Sequence, residues 1–423
     1  MRKRWWIGLL ALAMLLCLMP AVARAENEPK AKEYTKYCKI DCDVRDGTRH
    51  LLNWFVTDRV AFPAETGVTI SWTDEYPVAY LCLQWFTSVE GVIVRAFDGD
   101  GQLMAEEKLG AYPEYAIPLP EGTRSARVTA GEAGMDMSQL HVFGEGTLPD
   151  PFHLWQETPE GLDYLLIATH PDDDVLYLGS IVPIYGAEQG YVGSIAYATC
   201  MTRGRMSEAE NGAWEMGLRY RPLFMGFPDI PRDAKPEKKA EFVYDDLVRD
   251  TVRLYRRYHP AVVFAQAVHG EYGHWQHILT SQAAVEAYDL AADPAYDPES
   301  VESYGTWQVQ KLYLHDYEEN KLYLDGNAPL EAFDGTTAWN VARKAFQKHE
   351  SQVQYGFFVM RDDEKNAFNR FGMIKGVVEA GDDAFANVPP ELLSTYDPSV
   401  PAPAQEPEIA PEATPEPTPA DPS

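Results

Sequence analysis

The chain has 423 residues, 45% of them apolar and 24% charged, and a formal charge of −29. This is ordinary material for a folded protein with a real core and one to three domains. It argues against nucleic acid or an anionic membrane as a partner, since both need a basic face.

Residues 1–25 read as a signal peptide rather than as fold. "MRKR" is a positive start, "WWIGLLALAMLLCLMPAV" an apolar stretch, and Ala23-Arg24-Ala25 a small-x-small cleavage site. An uncleaved anchor is the competing reading. Cleavage after Ala25 would give a secreted or cell-surface protein with no stable membrane span. Export puts the cysteines in an oxidising frame. Cys38 and Cys42 could bridge, or one could reach Cys82; buried free thiols, Cys200 included, are the alternative. The pattern is too sparse for a structural zinc site built on cysteines.

Residues 26–150 have the texture of strands. "VTISW", "AYLCLQWF", "VIVRAF" and "ARVTA" are β-branched or aromatic runs, and "FPAETG", "FDGDGQ" and "LPEGT" punctuate them. Helical periodicity is absent. Short strands at this spacing predict an all-β sandwich or jelly roll. The segment, closing in "SQLHVFGEG", is similar to a galactose-binding, discoidin-like sandwich. That resemblance implies an accessory module for carbohydrate or surface binding, beside a purely structural one.

A proline-marked linker, "GEGTLPDPFHLWQETPEGL", comes next. From 156 to 390 apolar runs alternate with amphipathic ones. "DYLLIAT", "GSIAYAT", "PLFMGF", "AVVFAQ" and "VQKLYLH" read as buried strands. Helices are predicted at "VLYLGSIVPIYG", over 240–258 and at "AWNVARKAFQKH". In 240–258 one face carries Val243, Leu247, Thr251, Leu254, Tyr255 and Tyr258. Such alternation predicts an α/β domain with a Rossmann-like, mostly parallel sheet and flanking helices. Residues 396–423 are rich in proline and glutamate and cannot bury enough surface to offset their ordering entropy, so a disordered tail is expected.

The chemistry concentrates in two places. "ATHPDDDVL" puts His170 and three aspartates at the carboxyl end of the first buried strand, where sites form in parallel sheets. Three adjacent carboxylates repel one another unless a cation sits among them. A divalent metal could take His170 and one aspartate, lower the pKa of a bound water to about 7, and leave a neighbouring aspartate as general base. The alternative is that the aspartates cap the helix that follows. The second place is "HGEYGHWQHI". His269, His274 and His277 crowd together after another predicted strand, with His274 and His277 at i, i+3. Ordinary loop histidines are the alternative there.

"ATHPDDD", then "YATCMTRGRMSEAENGAWEMG", then "GEYGHWQH", with "HESQ" at 349–352, resembles the PIG-L/LmbE family of metal-dependent N-acetylglucosaminyl deacetylases. The resemblance spans roughly residues 160–375. It implies that His170, Asp173 and His277 hold zinc, one ion per chain. It makes Asp172 the general base, and His274 the group that stabilises the oxyanion or donates a proton. Arg205 matches a sugar-contacting position, unless it merely pairs with Glu208. Asp174 stands where the family has glutamate, Thr169 departs before the histidine, and Trp275-Gln276 replace a common Pro-Asp. None of these removes a ligand.

The expected activity is zinc-dependent removal of an N-acetyl group from an N-acetylglucosamine-type amino sugar, glycan or small glycoconjugate. Two other readings stay open. One is an exported carbohydrate-binding surface protein with an inactive hydrolase domain. The other is a non-haem iron oxygenase, since two histidines and a carboxylate also match that set.

Overall fold

The computed structural model describes residues 29–394 apart from 56, 88, 89, 201, 362 and 363. The segment read as a signal peptide and the proline-rich tail lie outside the described residues. Nine strands come first: β1 (Lys39–Cys42), β2 (Val60–Phe62), β3 (Gly67–Ser71), β4 (Tyr80–Trp85), β5 (Ile93–Phe97), β6 (Leu103–Lys108), β7 (Glu114–Pro118), β8 (Ser125–Thr129) and β9 (Met135–Phe143). They pair antiparallel in two sheets, ordered β1-β3-β8-β5-β6 and β2-β9-β4-β7. Alternation does the sorting: in β5 and β8 every second residue, Val94, Ala96, Ala126 and Val128, turns inward. Val94, Ala126 and Val128 meet Leu81, Leu83, Trp85, Leu140 and Val142 of the facing sheet in one core. Cys38, Cys42, Cys82 and Cys200 are all free thiols.

The second half begins with β10 (Tyr164–Ala168), β11 (Gly193–Thr199), β12 (Leu223–Phe227), β13 (Val262–Ala265) and β14 (Lys311–His315). After these come β15 (Lys321–Tyr323), a small hairpin of β16 (Pro329–Leu330) and β17 (Thr336–Thr337), and β18 (Arg370–Gly376). One sheet runs β12-β11-β10-β13-β14-β18-β15. The first four pairings are parallel and the last two antiparallel. β10, β11, β13 and β14 are buried along their whole length, which is why they read as continuous apolar runs instead of alternating ones. The chain lays down β10, then adds strands on one side, then returns to add β13 on the other. The reversal falls between β10 and β13. Loops leaving the carboxyl ends of two such strands diverge and open a crevice. His170 follows β10 and the His-rich segment follows β13.

The helices that matter are α1 (Asp173–Leu176), α2 (Arg203–Glu215), α3 (Tyr244–Tyr258), α4 (Trp275–Leu290), α5 (Ala338–Phe346) and α6 (Glu350–Val353). The single helix expected at "VLYLGSIVPIYG" is interrupted. α1 ends at Leu176 and a wider turn resumes over Val182–Glu188. Pro183, which has no N–H to give to the preceding turn, and Gly179 account for the break. Val243 caps α3 instead of joining its buried face, and is exposed. β18 was not expected, because Gly372 and Gly376 dilute its apolar pattern. No helix among the described residues is long and apolar enough to cross a membrane.

The sandwich and the mixed sheet meet through buried charge. Glu114 of β7 accepts from Arg203, which opens α2, at 2.7 Å, and from Gln84 at 2.8 Å. Arg221 pairs with Glu210 of α2 at 3.2 Å, and its guanidinium lies 4.2 and 4.3 Å from the rings of Tyr112 and Tyr115. Burial pushes Glu114 up to about 7 and Glu210 up to about 8, against the pull of the arginines. A raised carboxyl means that the folded state holds more protons than the unfolded one between about pH 4.5 and 8. Stability therefore falls as pH rises through that window. Thermal melts of wild type and Glu114→Gln from pH 5 to 8 should show a shallower decline in the variant. Parallel declines would mean that Glu114 titrates alike in both states.

Candidate active site

The turn after β10 is built to aim side chains at one point. Asp173 does not cap α1. Its Oδ2 turns back to accept from the His170 backbone N–H at 2.7 Å. No side-chain cap hydrogen bond forms at Asp172 either, although Asp173 and Asp174 both stand in the first turn of α1. Asp172 sits at φ 127°, a left-handed-side conformation rare outside glycine that is characteristic of constrained functional turns.

Three donor atoms converge across the crevice. His170 Nδ1 lies 3.1 Å from Asp173 Oδ2 and 3.1 Å from His277 Nε2. His277 Nε2 lies 3.2 Å from the same carboxylate oxygen. Ligands at zinc–ligand distances of about 2.0–2.2 Å around a tetrahedral ion stand about 3.3 Å apart, so the spacing fits a shared cation. The far side of each ring says the same. His170 Nε2 faces Gln276 Oε1 at 3.4 Å and Asp229 at 3.6 Å, both acceptors. His277 Nδ1 faces Glu271 Oε2 at 2.7 Å. Gln266 Nε2 is 2.9 Å from that nitrogen, but the shorter contact, to an ionised carboxylate, assigns the N–H to Glu271. With both outer nitrogens facing acceptors, the inner nitrogens of His170 and His277 could turn their lone pairs to a metal beside the Asp173 carboxylate; without one, Asp173 holds a proton on His170 against burial and pushes its pKa up to about 9. That donor set suits a divalent metal.

Asp172 lies beside these donors without joining them. Its Oδ1 takes Arg205 Nη2 at 3.1 Å. Burial and the Asp173 charge push its carboxyl up to about 8, against Arg205 and His170. Asp174 Oδ1 accepts from the Asp172 N–H at 3.2 Å, and burial holds this carboxyl up at about 7. Arg205 also donates to Pro171 O, to Glu208 at 2.9 Å and to Ser351 at 3.2 Å. It pairs with Glu208, as the plainer reading had it, but it does so inside the site. Ser351 in turn donates to Glu208 at 2.7 Å, which docks the "HESQ" segment on α2. His349 of that segment is buried against Gly212, where a Cβ would come within 2.6 Å of the ring. Burial lowers its pKa to about 3.

His274 caps α4: its Nδ1 accepts from the Gln276 N–H at 3.2 Å. Burial, and then the neighbouring His170, push it down to about 3, so the ring is neutral with its proton on Nε2. His269 is exposed and stays outside the cluster. Among the described residues, the histidines whose ligand atoms all lie within 4.8 Å of one another are His170, His274 and His277. With its Nδ1 lone pair already used, however, neutral His274 offers a donor on Nε2 and not a lone pair.

Two residues of the site went unmarked in the sequence. Glu271 is wholly buried and sits at φ 53°. One oxygen takes His277; the other takes His315 Nδ1 at 3.1 Å and the Ala267 N–H at 2.9 Å. Burial opposes its charge, but these donors win and keep it well below the usual carboxylate range. His315 ends β14 and reaches Ala367 O at 3.0 Å with its other nitrogen. The available signal was positional: both lie at carboxyl ends of strands of one sheet. In a site where His277 ligates a metal, Glu271→Gln should weaken its binding about 10–100-fold, the usual effect of removing a partner behind a ligating histidine. Competition with a chromogenic chelator reads this directly, and unchanged affinity would rule out Glu271 as the group that holds His277.

No family model matches the chain. In sequence it is 24% identical over 281 residues to 1D-myo-inositol 2-acetamido-2-deoxy-alpha-D-glucopyranoside deacetylase 1 of Catenulispora acidiphila, covering 52% of this chain and 85% of that one. It is 32% identical over 181 residues to the corresponding deacetylase of Geodermatophilus obscurus, covering 35% of this chain and 59% of that one. These relatives are deacetylases, that is, amide hydrolases. Among solved structures, N,N'-diacetylchitobiose deacetylase of Pyrococcus horikoshii aligns with a TM-score of 0.36 at 18% identity, over 48% of this chain and 72% of that one.

Proposed function

We propose that the chain is a zinc-dependent deacetylase that hydrolyses the N-acetyl amide of an N-acetylglucosamine-type sugar or glycoconjugate. The observation that carries this reading is the triangle of His170, Asp173 and His277 with Asp172 at its edge. In this reading residues 156–390, with a Rossmann-like sheet, carry the reaction, and the sandwich of residues 26–150 braces Arg203. Zinc held by the three donors supplies Lewis acidity, polarising a carbonyl oxygen and making water acidic enough to attack near neutral pH.

The chain's own residues do the rest. Asp172, oriented by Arg205, takes a proton from the attacking water. His274 Nε2–H donates to the charge developing on the acetyl oxygen. The C–N bond breaks, the water oxygen stays with the acetyl group as acetate, and Asp172 returns its proton to the leaving amine. The test is amine release from a panel of N-acetyl sugars by the full chain, before and after chelation and zinc reloading. We expect release that chelation abolishes and zinc restores. Sugar binding without release after reloading would instead support a binding protein.

A further inference from the structure

The helix that carries Arg205 begins against its own electrostatics. The amino end of a helix is positive, and acidic residues suit its first turn. α2 has none there; it opens instead with Arg203 and Arg205. Both side chains are largely buried. Two buried guanidiniums at the positive end of one helix need anionic partners. They have them, and the partners come from both halves of the chain. Arg205 meets Asp172 of the site at 3.1 Å and Glu208 at 2.9 Å. Arg203 meets Glu114 of the sandwich at 2.7 Å.

Helical spacing gives α2 two opposite faces. Arg203 and Glu210, two turns apart, look to the sandwich. Arg203 donates to Glu114, and Glu210 takes Arg221, whose Nη1 reaches the Glu114 backbone carbonyl at 3.3 Å. Arg205, Glu208 and Gly212, at i, i+3 and i+7, look to the site, against Asp172, Ser351 and His349. Glu114 lies on β7, the outer strand of its sheet. An outer strand needs cover, which accounts for α2 packing there. Cover alone does not account for a carboxylate only 2% exposed, which is costly to bury without a cation to hold. Gln84 Nε2 holds the same Glu114 oxygen at 2.8 Å, so the carboxylate meets Arg203 already oriented.

We propose that Glu114 is a positioning residue for the reaction: through Arg203 the sandwich fixes the first turn of α2, and with it the Arg205 that orients Asp172. The inference rests on the deacetylase reading. The sandwich then completes the site instead of merely standing beside it. The three metal-binding side chains come from the segments that follow β10 and β13, and none from α2. Turnover should therefore depend on Glu114 while zinc binding does not.

The test compares Glu114→Gln with Glu210→Gln in the full zinc-loaded chain at pH 8, where the Glu114 carboxyl, pushed up to about 7 by burial, is ionised. Each variant removes one buried carboxylate from the same interface, but only Glu114 holds the start of α2. Glu114→Gln should lower kcat for amine release about 10-fold, the effect of a modest misplacement around a catalytic group, with KM and zinc affinity unchanged. Glu210→Gln should keep the wild-type kcat. Hydrogen exchange at the amides of residues 203–208 gives a reading that needs no turnover. It should quicken in Glu114→Gln and not in Glu210→Gln. Equal loss of kcat in both variants would mean a loosened interface and overturns the proposal; so does wild-type kcat in Glu114→Gln. Where Glu114→Gln fails to fold, Arg203→Lys and Arg203→Gln decide. The lysine keeps the charge and should retain most of the kcat that the glutamine loses, and equal losses overturn the proposal. A wild-type chain that releases no amine, while exchange responds as expected, refutes the deacetylase reading and leaves the brace standing; unchanged exchange in that chain overturns the brace as well.

Discussion

Asp172→Asn should keep its zinc and lose at least about 10³-fold in amine release, within the range general bases contribute. The substitution preserves shape, and asparagine tolerates positive φ as aspartate does, so the turn at φ 127° survives. Asp172 directs its carboxylate to Arg205 at 3.1 Å and not to the nitrogens of His170 and His277. An amide cannot take up the proton, so the substitution removes the acceptor but none of the three converging donors. Zinc analysis and turnover, measured on one preparation, separate the outcomes. Wild-type turnover in the variant would sink the base assignment. Loss of zinc would show that Asp172 and Asp173 have exchanged roles.

Most of this turn was legible because its logic is one of charge. Three carboxylates after a buried strand drew the eye to one end of the sheet, and the strand pattern put a histidine cluster at the end of a second strand in the same sheet. All five parallel strands were readable as apolar runs; in β10, β11, β13 and β14 burial on both faces leaves no polar alternation to blur them. Geometry was not legible. Nothing in "HGEYGHWQH" says that His269 turns to solvent, or that Glu271 holds a left-handed backbone so that its carboxylate can reach His277 and His315. His315 lies 44 residues from Glu271, a separation no local pattern records. Arg205 shows the same limit. Its spacing to Glu208 suggested an ordinary surface pair, yet the pair exists inside the site, because α2 brings both against Asp172 and Ser351.

The identity of the third ligand decides how the site works, and two substitutions separate the possibilities. Asp173→Ala should lose zinc and, with it, all turnover, because the remaining pair of histidines does not make a three-ligand catalytic site. His274→Ala should keep zinc and lose about 10²–10³-fold in kcat, the cost of removing one oxyanion donor. The reasoning is a matter of tautomers. His274 Nδ1 is engaged by the Gln276 N–H, so the neutral ring carries hydrogen on Nε2 and can donate but not ligate. Asp173 Oδ2 instead stands 3.1 and 3.2 Å from the two inward-facing nitrogens, the separation that a shared ion sets. The reverse result, zinc lost from His274→Ala and kept by Asp173→Ala, would make the ligands His170, His274 and His277, whose ligand atoms also lie within 4.8 Å of one another. In that case Gln276 would have to release His274 before metal could bind, and α4 would lose its cap.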